Sequence, residues 1–363
     1  MTREKIIEHL KESLPRLPTG RLLLAPRFGK TRLIISLLER DKPKSVLWVT
    51  PSRKLIEEDI PNEFKKVDKV EFLNFVSFST YKSLNKITGY FQTIILDEEQ
   101  HITENNIKNI INGNLKYDNI ISMTGKPSSD SLKNDIYRKL NLKVLYKYLI
   151  KEAESILSDY EINCIGIELS DKNNIIQNTK NGKFFTSEIK KYEYFTKAIA
   201  KAIENNDPKI KYLILNRMNF IYKLKSKEIV LEKLINKLNN KRNLIICSNI
   251  EQCNRFGKEN TFHSKTNNEK LQLFLNKKIN NLFIVNSGGT GFTYEGIENV
   301  IINQVNSDKN GNITQKIARG LLREGNKIVK IYIIYVKNTV DEKWLKLSLE
   351  SFNSNKINWY DGL

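Results

Sequence analysis

Twice along this chain, short apolar runs ending in polar turns alternate with helical stretches, and this constrains the fold more than any other feature. In the first third, residues 22–24, 45–50 (SVLWVT), 72–79, 93–96 (TIIL) and 119–123 (NIISM) read as strands, with helices such as 32–39 between them. Strands separated by helices cannot pair as hairpins. They pair in parallel through right-handed crossovers, which lay helices over both faces of the sheet. The alternation returns after residue 240 in 243–247, 281–285, 299–302 and 328–336. Between the two blocks, 142–157 reads as a Lys/Glu-rich helix, 164–169 as one strand and 171–183 (DKNNIIQNTKNGK) as a polar loop. Helices follow. The predicted fold class is α/β: two parallel-sheet domains, 1–140 and 241–363, joined by a helical bridge over 141–240.

The first strand runs into APRFGKT (25–31) and then a helix. A phosphate-binding loop needs a strand, a turn with inward N–H groups, and a helix that opens on Gly-Lys-Ser/Thr and adds its positive dipole. Gly29, Lys30 and Thr31 supply that signature. In such a loop the lysine reaches the β- and γ-phosphates and the threonine hydroxyl reaches Mg²⁺. The match is partial: Leu24 stands where the first glycine belongs, and Arg27 stands inside the turn. About 65 residues further on, strand 93–96 ends in Asp97-Glu98-Glu99-Gln100-His101. An acidic pair there suits Mg·ATP hydrolysis, Asp97 holding the metal through its water shell and Glu98 polarising the attacking water. ATP and Mg²⁺ are the expected ligands.

Sixty Lys and Arg against 41 Asp and Glu leave a net charge of +19. Such a field attracts polyanions, phosphate backbones above all, although a Lys- and Asn-rich composition set by an AT-rich genome would raise the charge in the same way. No apolar run reaches 18 residues, so neither a membrane span nor a membrane partner is expected. The amphipathic, charged N-terminus MTREKIIEHLKESL does not read as a signal peptide. Cys164, Cys247 and Cys253 have unrelated spacings and read as buried small hydrophobes, with no disulfide framework or zinc site. The expected location is cytoplasmic, the host cytoplasm for a phage-encoded chain. His9 reads as a surface residue and His263 as an ordinary loop histidine. Trp344 and Trp359 read as packing for the last helix, and the aromatics of 191–203 (KYEYFTKAIAKAI) as core.

Taken in order, these segments resemble the motifs of superfamily 2 helicases and translocases, over most of the chain. APRFGKT is similar to motif I, Thr50-Pro51-Ser52 to motif Ia, Ser79-Thr80-Tyr81 to motif Ib, and Asp97–Gln100 (DEEQ) to motif II. Residues 123–127 (MTGKP) resemble motif III, 245–249 motif IV, 287–293 (SGGTGFT) motif V and 315–323 (QKIARGLLR) motif VI. The Gly-Gly-Thr-Gly run is closest to the Swi/Snf-type branch and its phage relatives.

The resemblance implies two RecA-like domains that clamp ATP between them, with nucleic acid lying across both. Gly29, Lys30, Thr31, Asp97 and Glu98 would then bind and hydrolyse ATP from the first domain, and Arg319 and Arg323 would complete the site as arginine fingers. Gln315 and Gly291 would couple nucleotide state to closure, and Gln100 would relay from the metal site to motif VI. Pro51, Thr80, Ser248 and Thr290 would face the nucleic-acid backbone. Three departures stand out. Arg319 and Arg323 lie four apart where three is usual, no Gln precedes Gln92 to read adenine, and Lys126 replaces the second Thr of motif III. The implied function is an ATP-dependent nucleic-acid translocase or helicase, with DNA favoured over RNA and room for targeting, replication or repair partners. A catalytically weak motor fold acting as a nucleic-acid clamp is the alternative, and an RNA helicase is a third reading.

Overall fold

The computed structural model describes residues 2–125, 131–179, 182–285, 294–306, 312–321 and 327–363. The first sheet contains β1 (Gly20–Leu24), β2 (Val46–Thr50), β3 (Val76–Thr80), β4 (Gly89–Asp97), β5 (Leu115–Thr124) and β6 (Val144–Tyr148). Their order is β3-β2-β4-β5-β1-β6, and every neighbouring pair is parallel. Next come β7 (Asp159–Ile167) and an antiparallel hairpin of β8 (Ile175–Thr179) with β9 (Gly182–Thr186). The remaining strands are β10 (Asn243–Cys247), β11 (Thr261–Phe262), β12 (Asn281–Val285), β13 (Asn299–Ile302), β14 (Ile328–Val336) and β15 (Ile357–Asp361). With β7 they form a second parallel sheet, ordered β11-β12-β10-β13-β14-β7-β15.

The inner strands β2, β10 and β13 are near-continuous, buried apolar runs because both faces of each sheet are covered. Along β2, Val46 and Trp48 face one core while Leu47 and Val49 face the other. Along β10, Leu244 and Ile246 face one core while Ile245 and Cys247 face the other. Strand order in the first sheet sets which turns become neighbours. β5 lies between β1 and β4, with Leu23 level with Thr124 and Met123 level with Asp97. The turns after β1 and β4 therefore open at one carboxyl edge, where parallel α/β sheets bind their ligands.

The middle of the chain differs from expectation. Residues 142–157, expected helical, form β6 and a short 3₁₀ turn. Val144–Tyr148 hydrogen-bonds along β1, and edge pairing outweighs the modest helix propensity of the segment. The expected helical bridge over 141–240 thus contributes a strand to each sheet, β6 to the first and β7 to the second. Its helices are Glu188–Glu204, Ile210–Tyr222 and Lys225–Lys237. The polar segment 171–183, expected as a loop, carries β8 and the start of β9, which pair antiparallel with Ile176 opposite Phe185.

Two aromatic assignments also change. Trp359 lies on edge strand β15, with its ring edge-on to Tyr335 at 5.5 Å, rather than on a helix. Tyr194 is 59% exposed, while Ile199 and Ala202 of the same helix are buried. The three cysteines are buried and free, and His263 is buried with Nε2 2.8 Å from Asn254 Oδ1. No helix among the described residues is long and apolar enough to cross a membrane.

A buried ion pair ties a helix before β10 to the last helix. Lys227 Nζ donates to Asp341 Oδ2 at 2.6 Å, with both side chains fully inaccessible. The backbone N–H of Val336 donates to the same oxygen at 3.3 Å. Burial drives the Asp341 pKa up, against the opposing pull of Lys227. Lys227→Met removes the charge partner and is expected to cost about 3–5 kcal/mol of stability, read as a lower urea midpoint. Adding Asp341→Leu should recover most of that loss; a double variant no more stable than the single one would show that the pair is not the cause.

Candidate functional site between the two sheets

β1 ends at Leu24, which is fully buried, and the turn begins at Ala25, whose N–H donates to the Tyr148 carbonyl at 2.7 Å. A leucine therefore stands in the expected glycine position because the strand continues through it. Within the turn Arg27 has φ 66° and Gly29 φ 97°, both left-handed. Glycine accommodates this freely. For arginine it costs about 1–3 kcal/mol, which persists only where the surroundings over-determine it. Phe28 anchors the turn, with its ring 5.6 Å from Tyr148 in an edge-on contact. The helix Lys30–Asp41 then starts directly on the signature residues, so its N-terminus faces the turn.

At the end of β4, Glu98 also takes a left-handed conformation (φ 54°), which turns it back towards the loop after β1. Lys30 Nζ and Glu98 Oε1 form an ion pair. Burial disfavours the Glu98 carboxylate, but the Lys30 ammonium and the hydrogen bond from Gln100 outweigh this and hold its pKa below the usual range. Burial likewise opposes the Lys30 charge, and Glu98 and Asp97 overcome it, raising the Lys30 pKa. Asp97 differs: burial dominates and pushes its pKa up to about 6 despite Lys30. Gln100 Nε2 donates to Glu98 Oε2 at 2.8 Å, and its Oε1 accepts from the Thr124 hydroxyl at 2.7 Å. The end of β5 is thereby linked to Glu98 through one side chain.

The third acid of DEEQ has a structural partner that sequence reading missed. Arg21 Nε and Nη2 donate to Glu99 Oε1 at 3.0 and 2.6 Å, and the Ser122 hydroxyl also donates to this carboxylate. The guanidinium lies 3.7 Å from the Tyr137 ring centroid. This buried cluster pins the turn carrying Asp97 and Glu98 to β1 and β5, while the Tyr81 hydroxyl donates to the Asp97 carbonyl at 2.9 Å. The signal available in sequence was only the extra acid at position 99. Its partner lies 78 residues away and is brought close by strand order.

Residues from both sheets line one cavity of about 300 Å³. Lys30, Thr31, Asp97 and Glu98 come from the first, and Gln315, Ala318 and Arg319 from the helix Asn312–Ala318 and its end. Pro51, assigned by resemblance to the nucleic-acid path, lines this same cavity, and so does His101. Arg27, marked in the sequence only as an irregularity, bridges the two halves: its Nε donates to the Ala318 carbonyl at 3.4 Å. Burial and then the nearby Arg319 guanidinium pull the Arg27 pKa down to about 10, and burial lowers that of Arg319. Two guanidinium groups and an ammonium thus converge on a partly enclosed space, which favours a polyanion. A larger adjoining space of about 690 Å³ shares Arg27, Lys30, Thr31 and Asp97 and extends past Gly29 towards Arg3, Asp59 and Asn62.

The remaining assigned residues lie elsewhere. Thr80 sits at the end of β3, its hydroxyl 3.3 Å from that of Ser83. Ser248 follows β10 and lines a separate cavity. Thr290, Gly291, Arg323 and Lys126 lie outside the described residues. Among the described residues no group of three or more His, Cys, Asp or Glu could hold a metal ion by itself. The Thr31 hydroxyl and Asp97 carboxylate on one cavity wall still fit Mg²⁺, which keeps several waters and takes one or two protein oxygens beside phosphate.

No family model matches the sequence, and no curated protein matches it. Among solved structures, the chain is similar to the ATP-dependent Type ISP restriction-modification enzyme LlaBIII bound to DNA. The TM-score is 0.60 at 15% identity, over 99% of this chain and 30% of that one. It is also similar to the Pyrococcus furiosus Hef helicase domain, with a TM-score of 0.51 at 12% identity, over 96% of this chain and 97% of that one. The chain spans less than a third of the restriction enzyme's length. At such identities the shared property is the fold. That fold is α/β, two parallel sheets of the RecA-like type facing one cleft.

Proposed function

We propose that the chain is a nucleic-acid-dependent ATPase that moves along DNA, hydrolysing ATP at the cleft between its two sheets. The observation that carries this reading is the cavity lined jointly by Lys30, Thr31, Asp97, Glu98, Gln315 and Arg319. A phosphate loop facing an arginine on a separate sheet is the arrangement that phosphoryl transfer needs. The chemistry is mostly positioning and charge stabilisation, and a guanidinium brought in from across the cleft supplies the latter.

In this reading Lys30 changes partner when the triphosphate enters. Its ammonium leaves Glu98 for the phosphates, which frees the Glu98 carboxylate to orient water. Gln100, bonded to both Glu98 and Thr124, keeps that carboxylate in place. Thr31 and Asp97 would hold Mg²⁺, which neutralises phosphate charge when bound. Arg27 and Arg319 approach the anion from opposite sides, so phosphate charge draws the two domains together. The unit boundaries that suit this reading follow the sheets, the first ending after Tyr148 and the second starting at Asp159.

The direct test measures ATP turnover with no polymer, with single-stranded DNA, with duplex DNA and with matched RNA. Stimulation by DNA supports the proposal, and stimulation by RNA alone would reassign the polymer. Turnover absent under every condition, with nucleic acid still bound, would make the chain a clamp. Arg27→Ala is expected to raise the KM for ATP by about 10- to 100-fold, the loss of one charge-assisted contact of roughly 1.5–3 kcal/mol. An unchanged KM would remove Arg27 from the phosphate site.

A further inference from the structure

A second cavity, of about 700 Å³, lies away from the phosphate loop, between the helices Glu188–Glu204 and Ile210–Tyr222 and the turn after β10. Its volume falls in the range of small-ligand pockets, roughly 300–1,000 Å³. Two phenylalanine rings, Phe195 and Phe220, line it with centroids 5.9 Å apart. Lys191 lines it too, its Nζ 5.3 Å from the Phe220 centroid, and Lys223 and Lys225 stand exposed at its edge. Asn216, Asn219 and Asn249 add amide groups. The one acidic lining residue, Glu188, is buried and faces the protein, accepting from the Ser170 N–H at 2.9 Å and the Ser226 hydroxyl at 3.2 Å.

Charge around this cavity is lopsided. Residues 188–241 carry 13 Lys and Arg against 6 Asp and Glu. Aromatic faces beside ammonium groups and amides match an unstacked base with its phosphate, since every base has a π-face and amides can bond its edge. A duplex offers no free base face to such a pocket.

We propose that this cavity is a single-strand nucleic-acid subsite, in which a base stacks on Phe195 and Phe220 while Lys191, Lys223 and Lys225 contact the backbone. The proposal deepens the nucleic-acid reading above and rests on it. Ser248, assigned to the nucleic-acid path by motif order, lines the same cavity, which joins the subsite to the second sheet. The helical segment thus grips the strand independently of the ATP cleft.

Fluorescence anisotropy tests this with labelled oligo-dT, oligo-U and a blunt duplex, without ATP, across a salt series. The parental chain should bind the single strands more tightly than the duplex. Phe195→Leu and Phe220→Leu keep apolar volume but remove the π-face, and each should weaken single-strand binding by about tenfold. Lys223→Gln with Lys225→Gln should make the plot of log K against log salt shallower by about 1.4, two phosphate contacts at roughly 0.7 each. Melting temperatures measured alongside separate lost binding from lost folding. Parental affinity and slope in all of these folded variants would overturn the subsite while leaving the motor reading intact. Tighter binding of the duplex would overturn it as well, and no binding of any probe at low salt would overturn both.

Discussion

Arg319→Ala is expected to lower nucleic-acid-stimulated ATP turnover by about 10³–10⁵-fold while ATP still binds to the first domain. Arg319 stands at the end of the second-sheet helix that also carries Gln315, and it lines the cavity with Lys30 and Glu98. In the proposed reaction a guanidinium in this place would face charge that grows on the phosphoryl oxygens during transfer, so its loss should fall on kcat and leave the KM for ATP nearly unchanged. Arg319→Lys keeps the charge but not the planar fork, and should recover little. The checking experiment is steady-state ATPase kinetics at saturating DNA, with nucleotide binding followed separately. A loss confined to KM would make Arg319 a binding residue only, and full activity would put the reacting phosphate elsewhere.

Glu98→Gln should reduce turnover by about 10²–10⁴-fold, the contribution of a positioned general base. The substitution is nearly isosteric, and Gln100 can still bond the new amide oxygen. It removes the charge that holds Lys30 in the absence of phosphate. ATP affinity should therefore stay the same or rise, because Lys30 no longer has to leave a carboxylate. Lys30→Ala removes the opposite partner and should lose both binding and turnover. The two variants thus diverge in ATP affinity while both lose activity. If Glu98→Gln turned over ATP at the parental rate, water activation would have to come from another group on the cavity wall.

The two predictions rest on residues that the sequence marked in different ways, Glu98 by local pattern and Arg319 by resemblance. Lys30, Thr31, Asp97 and Glu98 each follow an apolar strand within a few residues, so local pattern reports where the chain turns and which polar groups sit there. Gln315 and Arg319 were reached only through motif order. Arg27 was visible but unreadable: its left-handed φ and its bond to the Ala318 carbonyl depend on a neighbour 291 residues away. The Arg21–Glu99–Ser122 cluster was hidden for the same reason. Residues 142–157 misled in the opposite direction. Their composition suits a helix, and only the open edge of β1 explains why Val144–Tyr148 is a strand.

That this chain forms two parallel α/β sheets was already written in its local pattern, because apolar runs alternating with helices leave crossover pairing as the way to bury them. The same pattern marked which end of each strand carries polar chemistry. Which strands are neighbours could emerge only on folding, since pairing order is a property of the whole sheet and not of any local run. With β5 between β1 and β4, the turn 25–31 and the acidic pair share one edge. With the second sheet opposite that edge, APRFGKT gains Arg319 as its counterpart, and Arg27 becomes the residue that spans the gap.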